Sequence, residues 1–216
     1  MSSPDYKVAE RRPIATRELA ASYRAAEWLS ARGVTPNGIS IAGMASGIMG
    51  GVMLAATNWV PEFGRLCWVL GAVCVQLRLL ANMLDGMVAV RCGKASPVGE
   101  LYNEVPDRVS DAAILIGLGY AAHSNVLLGL WATSVALMVA YIRAMGKVAG
   151  AHQEFCGPMA KPQRMALVTL GALIMAMLPA ALVSCVPTLT LWIICVGGAL
   201  TAVRRLVRIA AALRAK

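Results

Sequence analysis

The sequence predicts an all-α integral membrane protein in which six transmembrane helices follow a juxtamembrane amphipathic helix. The chain has 216 residues, of which 58% are hydrophobic and only 14% are charged. Its mean hydropathy of +0.65 is too high for a soluble domain of this length. Six apolar stretches approach the length of about 17–25 residues that a membrane span needs. They are residues 39–60, 66–87, 107–122, 126–145, 165–183 and 189–210.

The chain before the first span divides into two parts. Residues 1–15 are polar without a sustained period, which predicts a flexible N-terminus. Residues 16–33 carry apolar side chains at helical spacing, which predicts an amphipathic helix on the inner membrane surface that ends at Gly33. The apolar positions are Leu19, Tyr23, Ala26 and Leu29. Residues 34–216 then form the six-helix transmembrane domain.

Lys and Arg residues fix the expected orientation. They lie before the first span, in the second and fourth connections and at the C-terminus, whereas the three odd connections together hold only Arg65. By the positive-inside rule, both termini are cytoplasmic in a multi-pass protein of the inner membrane. Attraction to anionic lipid explains the net charge of +9, so nucleic acid is not an expected partner.

The first span carries a glycine stripe, namely Gly43, Gly47 and Gly51, in two overlapping GxxxG frames. Such frames let helices approach closely. The pattern fits packing within the chain or the seam of a homodimer, and the sequence leaves both open.

Two polar stripes interrupt the apolar pattern in the second and third spans. On a helix, Arg78, Asn82, Asp85 and Ala89 share one stripe of the second span. Ser96 and Pro97 are typical of a helix cap and first turn. Asn103, Asp107 and Asp111 then follow at intervals of four residues on one face of the next helix. We therefore expect two stripes of side-chain oxygens that face each other.

Carboxylate and amide oxygens are the ligands that Mg²⁺ accepts, usually together with substrate phosphates. Three carboxylates in a low-dielectric setting repel each other unless a cation neutralises them. The sequence therefore predicts a metal-assisted site. The competing interpretation is structural: Arg78 and Arg108 would pair with the acids and hold the bundle together.

The stretch resembles the CDP-alcohol phosphotransferase family, whose signature is D-x2-D-G-x2-A-R-x8-G-x3-D-x3-D. Five of the eight fixed positions are present at the right spacing: Asp85, Gly86, Ala89, Gly99 and Asp107. Three positions differ. Asn82 and Asn103 replace the first and third aspartates, and Val90 stands where the family has arginine.

Features outside the signature extend the resemblance from about Thr16 to Arg164. Thr35-Pro36-Asn37 matches a T-P-N tripeptide before the family's first span, and the Tyr141-Ile142-Arg143-Ala144 segment is similar to the end of its fourth span. The basic segment at residues 160–165 is similar to a loop of the phosphatidylinositol-phosphate synthase branch.

The resemblance implies an enzyme of phospholipid biosynthesis. It would transfer a phosphatidyl group from a CDP-alcohol such as CDP-diacylglycerol to an acceptor hydroxyl and release CMP, using Mg²⁺ (or Mn²⁺). It also favours a homodimer. By the resemblance, the metal ligands are Asn82, Asp85, Asn103 and Asp107, with Asp107 also the catalytic base and Asp111 in support. Gly86, Ala89 and Gly99 would bind the nucleotide, and Arg78, Arg143, Lys161 and Arg164 would bind phosphate or acceptor.

The departures from the signature define a variant subgroup. Two Asp→Asn changes remove two negative charges, so a site for two divalent ions is expected to hold one, or to hold ions weakly until substrate phosphates arrive. Pro106 predicts either a kink within a helix or a helix that begins near it. Two further hypotheses stay open: a catalytically silent protein that binds CDP-lipid or a partner, and a small cation-binding transporter.

Overall fold

The computed structural model describes residues 20–91 and 97–215, and within these ranges the regular structure is helical. The predicted flexible segment 1–15 lies outside the described residues, as do Leu19 and Ser96. The α-helices are α1 (Ala20–Ala31), α2 (Pro36–Trp59), α3 (Gly64–Arg91), α4 (Pro97–Tyr120), α5 (Val126–Val148), α6 (Lys161–Met177), α7 (Ala180–Val183) and α8 (Val186–Arg214). A short 3₁₀ turn at Pro61–Phe63 precedes α3.

The turn between α1 and α2 follows from its residues. Gly33 has φ +76°, a conformation that glycine adopts without strain. The amides of Gly33 and Val34 donate to the carbonyls of Ser30 and Leu29, which closes α1 with a Schellman motif. Thr35 then caps α2 by accepting a hydrogen bond of 3.1 Å from the amide of Gly38, and Pro36 occupies the first helical position.

Four helical segments in the described part of the chain are long and apolar enough to cross a membrane, and they contain α2, α3, α5 and α8. Helix α4 carries five charged side chains between Glu100 and Asp111, and α6 has only 17 residues.

Two predicted stretches need correction. The third one was placed at residues 107–122, but α4 already begins at Pro97, because proline favours the first turn of a helix. The fifth was placed at residues 165–183, but α6 ends at Met177 and Leu178 is extended before Pro179. Since the residue before a proline disfavours the helical conformation, the segment breaks into α6 and α7 there.

Helix α2 packs against both α3 and α4, and its glycine stripe makes this possible. A methyl group at Gly47 would lie 2.6 Å from Cβ of Ser110 in α4. A methyl group at Gly51 would overlap the carbonyl of Ala113, and one at Gly117 would overlap Gly51 itself. The interpretation that the stripe packs within the chain is therefore confirmed.

The remaining helices complete the bundle. Helix α3 also contacts α6, α4 contacts α5, and α8 packs against α5 and α6. Helix α1 lies against α3, where its predicted apolar face packs within the protein: Ala26 is buried in a cluster with Met87 and Val88. Helix α1 thus covers the end of α3 that carries the polar stripe.

Candidate active site

The two polar stripes lie at one end of the α2–α3–α4 bundle, which we call the signature end. It is formed by Asn82 and Asp85 on α3 and by Asn103, Asp107 and Asp111 on α4. The three carboxylates are buried, with exposed fractions of 3%, 7% and 2% for Asp85, Asp107 and Asp111. Asp85 interacts electrostatically with Asp107, and Arg78 on α3 bonds to Asp107 on α4. The structure therefore brings the two stripes together.

Asp85 is held by a residue that the sequence analysis did not single out. The hydroxyl of Ser40 on α2 donates a hydrogen bond of 2.6 Å to Oδ2 of Asp85. Oδ1 of the same carboxylate is buried and accepts no hydrogen bond from the part of the chain that is described. Ser40 thus fixes one carboxylate oxygen and leaves the other available.

The same condition recurs at both substituted signature positions. Among the described residues, the side-chain oxygens of Asn82 and Asn103 are buried and have no hydrogen-bond partner. A buried acceptor without a partner costs about 1–3 kcal/mol, so these three would be destabilising unless a ligand satisfies them. All three are oxygen acceptors, and a cation is the ligand that suits them.

Asp107 has a different environment. Its Oδ1 accepts hydrogen bonds from both Arg78 and Lys161, and Arg108 lies 3.6 Å from Oδ2. Arg78 is fully buried, whereas Lys161 is partly exposed at the start of α6. Arg78 and Arg108 are thus paired with Asp107, as the structural interpretation expects, and this pairing does not decide between that interpretation and a metal-assisted site.

Asp111 completes a second pair deeper in the bundle. Arg164 of α6 donates a hydrogen bond of 2.6 Å to Oδ2 of Asp111 and one of 3.3 Å to the carbonyl of Met159. The ammonium of Lys161 lies 3.7 Å from Oδ1 of Asp111. Lys161 therefore lies between two carboxylates and can shift from one to the other.

More exposed ion pairs surround this buried cluster. Arg143 at the end of α5 pairs with Glu104, and its guanidinium lies over the ring of Phe155 at 5.7 Å from the ring centre. Lys147 pairs with Glu100 at 2.9 Å. Glu104 was not singled out from the sequence, because it lies outside the signature spacing.

The small signature residues lie on the same two helices. Gly86 is buried, and Ala89 and Gly99 are partly exposed. Pro106 lies inside α4, so the alternative in which a helix begins near it is wrong, and Asn103 is helical. The carbonyl of Pro106 accepts a hydrogen bond of 2.6 Å from Ser110, four residues later.

The donor set fits a hard divalent cation. Within residues 20–91 and 97–215 there is no group of three or more His, Cys, Asp and Glu side chains arranged for a metal. This follows from the substitutions, since two of the four signature donors are amides. Two carboxylates and two amide carbonyls supply oxygen ligands only, which is the kind that Mg²⁺ and Mn²⁺ take.

Comparison with known proteins gives a consistent picture. The family model for CDP-alcohol phosphatidyltransferases matches residues 33–204. A phosphatidylinositol phosphate synthase from Mycolicibacterium smegmatis is 30% identical over 146 residues, which are 65% of this chain and 62% of that protein. The chain thus matches less than two thirds of that relative's length. The inner membrane protein YnbA of Escherichia coli is 26% identical over 70% of this chain and 73% of its own.

The fold is also found among solved structures. A phosphatidylinositol phosphate synthase of Mycobacterium tuberculosis, crystallised with manganese and citrate, superposes with a TM-score of 0.72. The two proteins are 25% identical, and the superposition covers 88% of each chain. The helical arrangement described above is thus shared with a solved enzyme structure.

Proposed function

The chain belongs to the CDP-alcohol phosphatidyltransferase family, and we propose that it transfers a phosphatidyl group from a CDP-alcohol such as CDP-diacylglycerol to an acceptor hydroxyl. One observation carries the proposal. Three buried oxygens that have no hydrogen-bond partner among the described residues, on Asn82, Asp85 and Asn103, lie in a site that also contains the cationic side chains of Arg78 and Lys161. A cation paired with an anionic diphosphate would satisfy both sets.

The metal ligands in this proposal are Asn82, Asp85, Asn103 and Asp107, in a variant subgroup with amides at two positions. Bound Mg²⁺ or Mn²⁺ would supply a Lewis acid that polarises the diphosphate and stabilises the leaving CMP. Ser40 keeps Oδ1 of Asp85 available for this role by bonding Oδ2. The manganese in the related M. tuberculosis structure supports the choice of metal.

The protein's cations would hold the phosphates. Lys161 is partly exposed and can turn from Asp107 toward a phosphate oxygen, as cations do in phosphoryl transfer. Arg143 pairs with Glu104 and Arg164 with Asp111, so both also contact acids of α4. Gly86, Ala89 and Gly99 lack bulky side chains, so the cytidine can approach the backbone of α3 and α4 beside the donors.

Asp107 is the proposed general base. The acceptor oxygen forms a bond to the lipid-linked phosphorus, the bond from that phosphorus to CMP breaks, and the acceptor proton passes to Asp107. In the structure, Arg78 and Lys161 both occupy Oδ1 of Asp107. We therefore expect Asp107 to act only when Lys161 has moved to the substrate phosphates, with Asp111 as its second partner.

We propose a phosphorylated polyol, such as an inositol phosphate, as the acceptor. Arg143, Lys161 and Arg164 place three cations at the signature end, which is more than a diphosphate carrying two charges requires. The M. smegmatis relative is named for the same kind of product.

The proposed membrane arrangement has six spans, with α4 and α6 added to the four long apolar helices. Helix α4, with 24 residues, is roughly 36 Å long at about 1.5 Å per residue. Its two buried acids, Asp107 and Asp111, are paired with basic side chains, which is the condition under which charge is tolerated at membrane depth. Residues 34–216 then form one catalytic domain in the inner membrane, with α1 at its surface and both termini cytoplasmic.

Release of CMP tests the proposal. Purified protein is incubated with CDP-diacylglycerol, Mg²⁺ and either inositol 1-phosphate or unphosphorylated inositol. We expect CMP release that depends on Mg²⁺ and is at least about tenfold faster with the phosphorylated acceptor, since a lost charge-assisted contact costs about 1.5–3 kcal/mol. Asp107→Asn should abolish release, and Glu62→Gln, which removes an exposed acid at the other end of the bundle, should not.

Two results would contradict the proposal in different ways. Release no faster than that of Asp107→Asn with any acceptor would favour the silent lipid-binding protein. Equal release with both acceptors would retain the transferase and remove the phosphorylated acceptor.

A further inference from the structure

We infer that this site works with a single divalent ion, and that the guanidinium of Arg78 takes the place of a second one. The inference rests on the proposed function and deepens it. It concerns Asp107, which occupies the fourth aspartate position of the signature. Asp107 differs from the residues at the other three aspartate positions in how its oxygens are bonded.

The charge of the site favours one divalent ion over two. Four aspartates at the signature positions would carry four negative charges, which two divalent ions balance. Here only Asp85 and Asp107 are charged, because Asn82 and Asn103 are neutral amides. Arg78 and Lys161 already bond to Asp107, so the local sum before any ligand arrives is close to zero. The two negative charges of a bound diphosphate can offset one divalent ion, whereas a second ion would bring two positive charges that nothing in the site offsets.

Hydrogen bonding at the individual side-chain oxygens also favours one ion. In the described part of the chain, Asn82, Asp85 and Asn103 each have a buried oxygen without a hydrogen-bond partner. Oδ1 of Asp107 instead accepts from both Arg78 and Lys161. These three oxygens, together with Oδ2 of Asp107, are the proposed ligands of the one ion. The position beside Asp107 already contains a cation of the protein.

Arg78 is fixed beside Asp107, so its charge stays in the site. Its side chain is 0% exposed, and it lies against α2 where Gly43 leaves room for it. A methyl group at Gly43 would lie 2.7 Å from Nη1 of Arg78. Lys161 is partly exposed and can leave Asp107, but Arg78 has no comparable path to water. The guanidinium therefore stays with Asp107 through the reaction cycle.

One consequence is that the metal and the nucleotide depend on each other. A divalent ion alone leaves the site with two excess positive charges, whereas an ion with a nucleoside diphosphate restores the balance. We expect CDP to raise the affinity for Mn²⁺ at least tenfold.

Equilibrium dialysis of purified protein against Mn²⁺ measures the number of ions bound. The experiment is done with and without CDP on both sides of the dialysis membrane. We expect one ion per chain with CDP, and weak binding without it. The double variant Asn82→Asp/Asn103→Asp restores two carboxylates and should bind two ions with CDP. Asn58→Asp adds an acid at the exposed far end of α2 and should bind one, as the unmodified chain does.

The outcomes separate the two proposals. Two ions bound to the unmodified chain would overturn the role of Arg78 and leave the transferase intact. Binding of no ion, with or without CDP, would overturn the proposed function as well. A double variant that is folded and still binds a single ion would contradict the charge argument. If that variant does not fold, the stoichiometry of the unmodified chain decides.

Discussion

At one end of the α2–α3–α4 bundle, glycines bring backbones into contact, whereas at the signature end polar side chains remain without partners. A methyl group at Gly117 would overlap the backbone of Gly51, and one at Gly51 would overlap the carbonyl of Ala113. Gly119 and Gly129 are in similarly close contact between α4 and α5. At the signature end, buried oxygens of Asp85 and Asn103 accept no hydrogen bond within the described residues. We call the first region the glycine end.

Stability and function thus depend on opposite ends of the bundle. Close packing at the glycine end gains dispersion contacts along three helices. That packing can hold the signature end in a geometry that its own unpaired groups would not favour. Substitutions at the glycine end should therefore reduce stability, and substitutions at the signature end should reduce activity.

The largest effect is expected from Asp85→Asn. An amide keeps the shape and the hydrogen bond from Ser40 but removes a metal ligand's charge. We expect the rate of CMP release to fall by about 100-fold or more, with an unchanged or higher unfolding temperature because a buried charge is gone. Rates and thermal unfolding followed by Trp fluorescence measure both quantities. A large fall in unfolding temperature would show that Asp85 is structural.

Gly117→Ala should act in the opposite way. Its new methyl group would overlap the backbone of Gly51, so we expect a loss of about 1–3 kcal/mol in the free energy of unfolding. The folded fraction should keep its specific activity within about twofold, since distant sites are nearly independent.

Gly64→Ala is the matched control, because the nearest atom to its new methyl group is 3.9 Å away. This variant should be as stable as the unmodified chain. If Gly117→Ala is equally stable, the glycine end does not hold the bundle together.

Ser40→Ala should have an intermediate effect. Removing its hydroxyl frees Oδ2 of Asp85, so the carboxylate can rotate and bind metal less well. We expect the Mg²⁺ concentration for half-maximal activity to rise about tenfold, with a smaller change in the maximal rate. Ser46→Ala removes a hydroxyl that donates to the carbonyl of Cys74, away from Asp85, and its Mg²⁺ dependence should not change. Equal Mg²⁺ curves for the two variants would remove Ser40 from the site.

Lys147→Ala should have the smallest effect. Its partner Glu100 is also well exposed, and such pairs contribute about 0–1 kcal/mol. We expect activity and unfolding temperature to stay close to those of the unmodified chain. A strong loss of activity would extend the site beyond Arg143 to the end of α5.

Spacing along a helix made much of the site predictable. Asn82 and Asp85 share a stripe of α3, and Asn103, Asp107 and Asp111 share a face of α4, because helical geometry fixes their directions. Contacts between helices could not be derived in this way. The bond from Ser40 to Asp85 joins residues 45 positions apart, and that from Lys161 to Asp107 joins residues 54 apart. Both depend on how α2 and α6 pack.

Hydropathy alone misplaced the ends of two helices for a related reason. The acids in the first half of α4 pair with basic side chains of neighbouring helices, so the helix extends ten residues before the start of its apolar stretch at residue 107. The break between α6 and α7 occurs within a stretch that is apolar throughout, where Pro179 was the available signal.

Anomalous scattering from manganese would locate the divalent ion directly and show whether one ion lies at the signature end. Crystals of the unmodified protein grown with CDP-diacylglycerol and Mn²⁺ should give one strong peak per chain, bounded by the side-chain oxygens of Asn82, Asp85 and Asn103. Arg78 should still contact Asp107. A peak that lies away from Asp85, or no peak at the signature end of crystals that contain the bound nucleotide, would contradict the metal site proposed for Asn82, Asp85 and Asn103.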